Sequence, residues 1–471
     1  MSLTQSTVNF NTLEEKFFQE GCKAAQIGLA NWLSELDQEL CNNRDKKKYR
    51  HNGYRKRTIK TKMGDVVVMR VQYLVVNPGP DEPKVIYLLD EALGLNRVGC
   101  FSELLVTAVL DEVSKSSFRE TAKAISATTG ESISHTGVWN IVQTVGDRLE
   151  TIEDKNAQLA RENKGKGSLK SKVLFEEQDG LWLSMQGASR RDGHKKREIK
   201  IGICYAGCKE VSGGRYALAE KVACASFDGS KKFLRRKEGL LASKFDMSFV
   251  EARFLNGDGA GWIKRTAKLP NTFYQLDPYH RNKKILECVG DKIARETIFT
   301  LLKAGNVNDL LQSIEAYRDS ATGTDDYEKL NDLLVYFSGN KTALRPYQDQ
   351  YGKPIQVNEG LVARNMGCVE SNVFTLLGNR MSGRRKSWSK AGAANMARIL
   401  CLRETEGLSD AVASILAPVL SETMQKEVDI FLPASKIPET VGKGYDGYCQ
   451  ATIPSTSNMK WLRDIAHGWS L

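Results

Sequence analysis

The sequence lacks the features of a membrane protein or an exported protein. No apolar run reaches the roughly 18 residues that a transmembrane helix needs. The opening residues, MSLTQSTVNFNTLEEKFFQE, contain no basic segment followed by an apolar stretch, which an export signal would have. We therefore expect a cytoplasmic, nucleoid-associated protein with no membrane partner.

Cysteine is too scarce for a disulfide-stabilised fold. The chain has 10 cysteines in 471 residues, and no two of them form a C-x-x-C pair. Cys204 and Cys208 are the closest pair, but residues 199 to 205 have the pattern of a strand, and no second pair of Cys or His stands nearby. We expect neither a disulfide framework nor a structural zinc site. With 41% hydrophobic and 27% charged residues, the chain has the composition of an ordinary globular protein of several domains.

What the chain has in excess is positive charge. Lys and Arg number 68 against 57 Asp and Glu, a net charge of +11. The basic residues cluster at 44–62, 190–200, 231–237 and 380–390. A single basic run is often only a solvated surface, but several along one chain favour a polyanionic partner. In the first cluster, the candidate contacts are Lys46, Lys47, Lys48, Arg50, Arg55, Lys56 and Arg57.

The first 98 residues predict a helix, a basic segment and a small β hairpin. Residues 8–42 carry apolar side chains at three- and four-residue spacings, which is the pattern of an amphipathic helix. After the basic segment, residues 58–76 alternate polar and apolar side chains around Gly64, which predicts a hairpin with its turn there. We expect this region to bind DNA.

Residues 99–152 predict a helix-turn-helix. The middle helix ends near Gly130, and Ser134 offers an N-cap for the next helix. An ordinary helical hairpin has the same pattern, so this stretch alone does not decide between the two. The following residues, 153–169, have the composition of a polar linker. The second helix of the motif would present His135, Thr136, Trp139 and Asn140 to DNA.

The rest of the chain predicts an α/β domain interrupted by helices. Between 170 and 280, three consecutive strands are followed by a helix, a strand and another strand, which indicates an α/β sheet. Residues 281–358 have helical periodicity and form an insertion, and residues 359–418 resume the domain. The remaining residues, 419–471, are a tail of loops and short helices.

Three acidic residues stand where a two-metal site would need them. Asp179 lies in the first strand of the α/β domain, Asp258 ends the fourth strand, and Glu370 opens a helix. Two aspartates at adjacent strand ends and a glutamate from a helix can hold two divalent ions for phosphodiester chemistry. With 57 acidic residues in the chain, this triple is weak evidence on its own.

A more specific pattern is a D-x-x-H motif formed by Asp277 and His280, directly after the fifth strand. Histidine is rare here, with five in the chain, so few such pairs are expected by chance. A histidine in this place could also be merely packed. Two tryptophans, Trp182 and Trp262, each stand beside a proposed metal ligand, and we expect them to be packing groups that line the site.

These motifs, in this order, resemble the bacterial insertion-sequence transposases of the ISLre group, which are related to Mutator-like DDE transposases. The resemblance covers about residues 50 to 405. The strings that carry it are YRKRTIKTKMGDVVVMRVQYLV (54–75), ISHTGVWNIVQTVG (133–146), EEQDGLWLSM (176–185), NGDGAGWIK (256–264), LDPYHRNKK (276–284) and the RM…W…GAANMARI segment (380–399).

The resemblance implies an RNase H-like catalytic domain with a helical insertion before the last acid. Asp179, Asp258 and Glu370 would ligate two Mg²⁺ or Mn²⁺ ions, and Asp277 and His280 would form the family's C/D-x-x-H motif. Glu359 is an alternative to Glu370 as the last acid. Further DNA contacts would come from Arg380, Arg384, Arg385 and Lys386, with Trp388 either stacking on an unpaired base or packed in the core.

The function that the resemblance implies is DNA transposition. The protein would bind the terminal inverted repeats of an insertion sequence as double-stranded DNA, cleave the ends, and join them to target DNA, as a homodimer or larger assembly. Two alternatives remain open at this point. One is a transposase-derived DNA-binding regulator without catalysis, and the other is a structure-selective RNase H-like nuclease.

Overall fold

A computed structural model describes residues 9–80, 82–95, 100–383, 386–405 and 407–416. The chain divides into two compact units. Of the described residues, the first comprises 9–59, 63–80 and 82–95, and the second comprises 60–62, 100–383, 386–405 and 407–416. Among the described residues, no helix has both the length and the apolar character needed to cross a bilayer.

The first unit is a long helix beside a small sheet. The sheet has the order β1-β2-β3. The predicted hairpin is present, but it begins at Tyr49, so the basic segment forms the first strand instead of preceding it. Its elements are α1 (Phe10–Asn43), β1 (Tyr49–Thr61), β2 (Gly64–Val75), β3 (Val85–Ile86) and α2 (Leu88–Leu93).

Helix α1 contacts this sheet only through its C-terminal part. Leu33 and Leu36 are buried there, and the buried Asp37 carboxylate accepts a hydrogen bond of 2.8 Å from the amide of Val71 on β2. The helix itself is as predicted. Two of its predicted packing positions, however, are solvent-exposed: Phe10 is 73% exposed and Phe17 is 61% exposed.

The second unit opens with three helices, each beginning at a serine N-cap. Ser102, Ser117 and Ser134 accept hydrogen bonds from amides in the first turn of their helices, which satisfies donors that a helix start leaves unpaired. Ser117 forms a capping box with Glu120. The helices are α3 (Glu103–Val113), α4 (Phe118–Thr128) and α5 (His135–Arg161).

The central element of the second unit is a five-stranded mixed sheet of order β10-β9-β4-β5-β8. Strand β5 is antiparallel to β4 and to β8, whereas β9 runs parallel to β4 and to β10. Four of the five predicted strands are present, whereas the third, predicted at residues 215–227, is divided into two strands, of which the first pairs with β6 in a separate two-stranded sheet. The elements are β4 (Val173–Ser184), α6 (Ala188–Arg191), β5 (Lys196–Tyr205), β6 (Gly207–Ser212), β7 (Arg215–Ala219), β8 (Val222–Ser226), α7 (Ser230–Lys244), β9 (Ala252–Gly257), α8 (Ile263–Thr266) and β10 (Thr272–Leu276).

The predicted linker at 153–169 is wrong in its first part, because α5 continues to Arg161. Acidic residues in the C-terminal half of α5 pair with α7. Arg236 on α7 donates to the Glu150 and Asp154 carboxylates of α5 at 2.7 Å each. A charged helix face therefore packs against another charged face, and composition alone does not distinguish that from a solvated linker.

The predicted helical insertion forms its own core. Ile285, Ile298, Leu310, Leu333 and Phe337 are each fully buried in it. Ile293, also predicted to pack, is 72% exposed. The helices are α9 (Pro278–Cys288), α10 (Lys292–Lys303), α11 (Val307–Asp319), α12 (Thr324–Ser338) and α13 (Tyr347–Tyr351).

The chain then returns to the sheet through further helices. A π-helical segment, Phe374–Gly378, separates the first two of them. The longest is almost wholly buried and packs against α5 and β8. The predicted tail, 419–471, lies outside the described residues. These helices are α14 (Val369–Val373), α15 (Asn379–Met381), α16 (Lys390–Thr405) and α17 (Leu408–Leu416).

Candidate active site at the ends of three parallel strands

Side chains of the adjacent strands β4, β9 and β10 form rows across one face of the sheet. The strands are in parallel register, and alternate residues of a strand point to the same face. The first row is aromatic and belongs to the core. The second row is polar and buried. The aromatic row is Phe175, Phe254 and Phe273, and the polar row is Glu177, Asn256 and Gln275.

The next row consists of aspartates. The last paired residues of the three strands, Gln178, Gly257 and Leu276, stand side by side. Neighbouring strands are about 4.8 Å apart, so the residues that follow remain close to one another. The aspartate row, which directly follows these residues, is Asp179, Asp258 and Asp277.

Asp179 is the most electrostatically perturbed member of the aspartate row. It is 9% exposed, and its Oδ1 accepts a hydrogen bond of 2.7 Å from the amide of Gly180. Burial raises the pKa of the Asp179 carboxyl to about 6; the Gly180 amide and His280 oppose the rise, and the charges of Asp258 and Asp277 add to it. The carboxylates are thus close enough to repel one another.

Asp258 lies at the start of the loop after β9. Its Oδ1 accepts from the amide of Ala260 at 2.8 Å, and its backbone oxygen accepts from the Tyr336 hydroxyl at 2.6 Å. Tyr336 belongs to α12, so the helical insertion holds this loop in place. The side chain of Asp258 remains half-buried.

Asp277 and His280 form a hydrogen-bonded pair. Asp277 is the N-cap of α9, with Pro278 at the first helical position. Its Oδ2 accepts from the His280 amide at 3.1 Å and lies 2.9 Å from His280 Nδ1, and its Oδ1 accepts from Asn256 at 2.7 Å. Asp277 is therefore fully occupied in orienting its neighbours.

The pKa of Asp277 is lowered and the pKa of His280 is raised. Burial alone would raise the pKa of Asp277, but the hydrogen bonds from His280 and Asn256 outweigh burial and leave it below the usual range. The pKa of His280 is raised, first by its hydrogen bond with Asp277, with burial opposing, and further by the charge of Asp179. This pattern favours an imidazolium beside ionised carboxylates.

Glu177, in the polar row, was not identified from the sequence. It is fully buried and receives hydrogen bonds from both neighbouring strands and from the chain segment that leads into α14. Its position two residues before Asp179 on the same face was a usable signal, because strand side chains alternate. The donors are Tyr205 Oη at 2.9 Å, Asn256 Nδ2 at 3.1 Å, Gly367 N at 3.1 Å, Cys368 Sγ at 2.8 Å and Val369 N at 3.0 Å.

The last acid, Glu370, is on a different element from the aspartate row. Glu370 lies on α14, one residue after the segment anchored by Glu177, and its side chain is exposed. Within the described residues, no hydrogen bond or ion pair joins it to the three aspartates. Glu359 is also exposed, in a turn before the isolated β-bridge between Val362 and Cys208.

The residues of the aspartate row fit a divalent ion. Carboxylate oxygens are the hard donors that Mg²⁺ takes, and Mg²⁺ is usually held by one or two carboxylates together with water and substrate phosphate. Burial, and to a smaller extent the charges of Asp258 and Asp277, raise the pKa of Asp179, and a cation there would stabilise its ionised form. Among the described residues, no three His, Cys, Asp or Glu side chains are already arranged as a ligand cage. Asp179 and Asp258 are the two suited to such a role.

The predicted basic DNA contacts lie on or just before β1. Most are exposed, while Lys48 pairs with Glu82 at 3.0 Å and Arg57 donates to the Leu95 oxygen at 2.6 Å. The cluster at 231–237 differs from expectation, because Arg236 and Lys237 are each 3% exposed and held in ion pairs. The exposed members at β1 are Lys46, Lys47, Lys48, Arg50, Arg55 and Lys56.

The start of α5 is partly available for DNA. His135, Thr136 and Asn140 are exposed as predicted. Trp139 is not: its ring makes an edge contact with Phe118, with centroids 5.4 Å apart, and it fills the space that a side chain at Gly392 would need. The expectation that Trp139 reads DNA is therefore wrong, because α5 is packed between α4 and α16.

Two predicted DNA contacts in the segment 380–388 are core residues. Arg380 is 7% exposed and its Nε donates to the Val113 oxygen at 2.6 Å, while burial lowers the pKa of its guanidinium to about 10. Trp388 is 5% exposed and donates to the Met381 oxygen at 2.8 Å. Both therefore stabilise the fold instead of contacting phosphate or a base.

Of the other basic residues in this segment, the structure describes only Lys386. Lys386 is half-buried and donates to the backbone oxygens of Asn379 and Arg380 at 2.8 Å and 2.9 Å, which places a cation at the end of a helix. It therefore neutralises a helix terminus. Arg384 and Arg385 lie outside the described residues.

The two tryptophans beside the proposed metal ligands differ in how exposed they are. Trp262 is half-buried, as expected, with its ring edge on Phe233 and its Nε1 donating to Glu198 at 3.2 Å. Trp182 is 60% exposed. The expectation that Trp182 packs is wrong, because the strand alternation turns it away from the aspartate row.

We predict that Asp179→Asn stabilises the metal-free protein at pH 7.5. A raised carboxyl pKa contributes stability that is present below about pH 4 and is lost as the pH rises through about 6. The substitution should therefore add on the order of 2–3 kcal/mol at pH 7.5 and little at pH 4. Chemical denaturation in a chelator measures this, with the exposed Asp326→Asn as control. An equal effect at both pH values would contradict the assignment.

We also predict that Trp388→Ala lowers the free energy of unfolding by about 3–5 kcal/mol, because it leaves a cavity in the core. Trp388→Phe should lower the free energy of unfolding by a smaller amount. Urea denaturation measures the effect. Unchanged stability with weakened DNA binding would instead support the stacking role.

The comparisons with known proteins agree over most of the chain. The curated "UPF0236 protein in vanSb 3'region" of Streptococcus gallolyticus is 23% identical over 412 residues, which cover 86% of this chain and 85% of that protein. A family model described as "Uncharacterised protein family (UPF0236)" matches residues 3–413. The chain belongs to the UPF0236 family.

Proposed function

We propose that this chain is a DDE transposase, which cleaves DNA at the ends of an insertion sequence and transfers the freed strands to target DNA. The observation that carries the proposal is the aspartate row. Three carboxylates at one level of three adjacent strands, one of them with a strongly raised pKa, serve no packing purpose. Such perturbed groups concentrate at functional sites.

We also propose that the sheet of the second unit belongs to an RNase H-like catalytic domain. Three features support this. The first acid, Asp179, lies in the central strand of the mixed sheet, and the second, Asp258, follows β9. The helices α9 to α13 come between Asp258 and Glu370, where the resemblance to insertion-sequence transposases implies an insertion.

In this mechanism Asp179 and Asp258 would hold the divalent ions, with Glu370 as the third ligand. When bound, two such ions activate the attacking oxygen and stabilise the leaving oxygen of an in-line phosphoryl displacement. The protein contributes fixed positions. Asp179 is held by its strand and by the Gly180 amide, and Asp258 by Ala260 and Tyr336.

His280 would act on the scissile phosphate. Its Nδ1 faces Asp277, which fixes the ring and leaves Nε2 directed elsewhere. The raised pKa of His280 favours the imidazolium, which carries a proton on Nε2 as well as on Nδ1. Nε2 can then donate a hydrogen bond to a phosphate oxygen or deliver a proton to the leaving group.

Double-stranded DNA is the proposed partner, and the first unit supplies a surface for it. The exposed cations on and before β1 include Lys46, Lys47, Arg50 and Arg55. Lys and Arg at such density neutralise phosphates and make binding strongly salt-dependent. His135, Thr136 and Asn140 at the start of α5 are the proposed contacts of the second unit.

The test uses duplex DNA taken from the two flanks of the gene, with Mg²⁺ or Mn²⁺. We expect Asp179→Ala and Asp258→Ala to reduce strand cleavage and joining by at least 10³-fold, because each removes a metal ligand. DNA binding should stay within about twofold in an electrophoretic shift assay. Asp326→Ala, an exposed aspartate of the insertion, is the matched control.

The identity of the last acid is tested in the same assay. Glu370→Gln should abolish cleavage, whereas Glu359→Gln should retain it. The reverse result would reassign the last acid. Full cleavage by Asp179→Ala would contradict the proposed site, and sequence-specific binding without cleavage by the unmodified protein would favour a DNA-binding regulator.

A further inference from the structure

A basic hairpin extends beyond the aspartate row. Strands β4 and β5 continue to pair as far as Ser184 and Lys196, whereas β9 ends at Gly257 beside Gln178. Between Gln178 and Leu183, the other edge of β4 has no strand partner among the described residues, and at Ser184 the edge is taken by Trp388, whose amide donates to the Ser184 oxygen at 3.0 Å. We define the β4–β5 hairpin as residues 179–201.

The hairpin carries an exposed aromatic side chain. Trp182 is 60% exposed and stands opposite Glu198 on β5. It lies three residues from Asp179, roughly 10 Å along the strand. That distance corresponds to roughly three stacked nucleotides of one strand. The exposed part of the ring is available for contact with a ligand.

Uncompensated positive charge surrounds Trp182. Lys196 and Lys200 pair with the residues two positions to either side of it, so both are its diagonal neighbours. Within the described part of the chain, none of the hairpin's Lys or Arg side chains forms an ion pair with an acid. These residues are Arg190, Arg191, Lys195, Lys196, Arg197 and Lys200.

The one acid beside Trp182 is turned away from it. Glu198 Oε1 accepts from Trp262 Nε1 at 3.2 Å, and it occupies the space above Gly180, where an added Cβ would lie 2.2 Å from it. Asp192 is exposed at the tip of the hairpin. The surface around Trp182 is thus aromatic and cationic.

We propose that the β4–β5 hairpin binds unpaired nucleotides, with a base stacked on Trp182 and phosphates neutralised by Lys196 and Lys200. This inference rests on the proposed function, because it assigns the hairpin to DNA next to the cleavage site. Stacking on an aromatic ring requires a base removed from its duplex. Trp182 and Asp179 point to opposite faces of the sheet, so such a strand would pass over the edge of β4 between these two residues to reach the aspartate row.

The test compares binding of a fluorescein-labelled oligo(dT) 12-mer and a blunt duplex of equal length to the full chain. We expect Trp182→Ala to weaken oligo(dT) binding about tenfold and Trp182→Phe to weaken it less than threefold, with duplex binding unchanged within twofold. Fluorescence anisotropy at fixed salt measures both. Tyr327→Ala, another exposed aromatic in the second unit, is the control and should change neither.

The charge is tested separately. Lys196→Gln with Lys200→Gln should lower the slope of log affinity for oligo(dT) against log salt by about 0.7 per charge removed. Lys292→Gln with Lys303→Gln, both on α10, should leave it unchanged. An unaltered slope, or an equal loss of duplex and oligo(dT) binding in Trp182→Ala, would overturn the inference.

The experiments distinguish failure of the hairpin inference from failure of the catalytic proposal. Asp179→Ala should bind oligo(dT) normally, so loss of its cleavage concerns only the aspartate row. If Trp182→Ala binds oligo(dT) like the unmodified protein while Asp179→Ala lacks cleavage, the hairpin inference is wrong and the catalytic proposal stands. If Trp182 is required for oligo(dT) binding while Asp179→Ala still cleaves, the hairpin inference stands alone.

Discussion

The parallel register of β4, β9 and β10 is the constraint on which the candidate site depends. Because side chains alternate along each strand, this register sorts one face of the sheet into an aromatic row, a polar row and the aspartate row. A slip of one residue would send every carboxylate to the opposite face. The aromatic row supplies apolar burial, and the polar row connects that core to the charged end.

Hydrogen bonds of the polar row stabilise the structure beside the aspartate row, whose carboxylates repel one another. Asn256 bridges Glu177 and Asp277, and Glu177 in turn holds the segment leading to α14. Buried carboxylates with full sets of donors rigidify a structure, whereas unpaired ones are costly. Asp179 is buried without such a set of donors, and the pKa of its carboxyl is therefore raised. Stability is therefore lower at the point where chemistry is proposed, which is common at active sites.

The strands and most helices could be predicted from periodicity, because long amphipathic patterns are determined locally. Contacts between residues that are far apart in the sequence could not be predicted in this way. The charge of α5 near Asp154 predicts a linker until Arg236 of α7 is known to lie against it. Arg380 resembles a surface cation, yet its guanidinium lies over Trp388. In the site, Asp179 and His280 were identified by motif, but Glu177 depends on a segment 190 residues away, and no local pattern reveals that.

The most direct test of the account is anomalous diffraction from crystals grown with Mn²⁺, because it locates the ion without requiring turnover. The account predicts a peak bound by the carboxylates of Asp179 and Asp258, at ligand distances of about 2.0–2.2 Å, and no such peak in Asp179→Asn. A well-ordered aspartate row with no ion at saturating Mn²⁺, or an ion bound only elsewhere in the second unit, would contradict it.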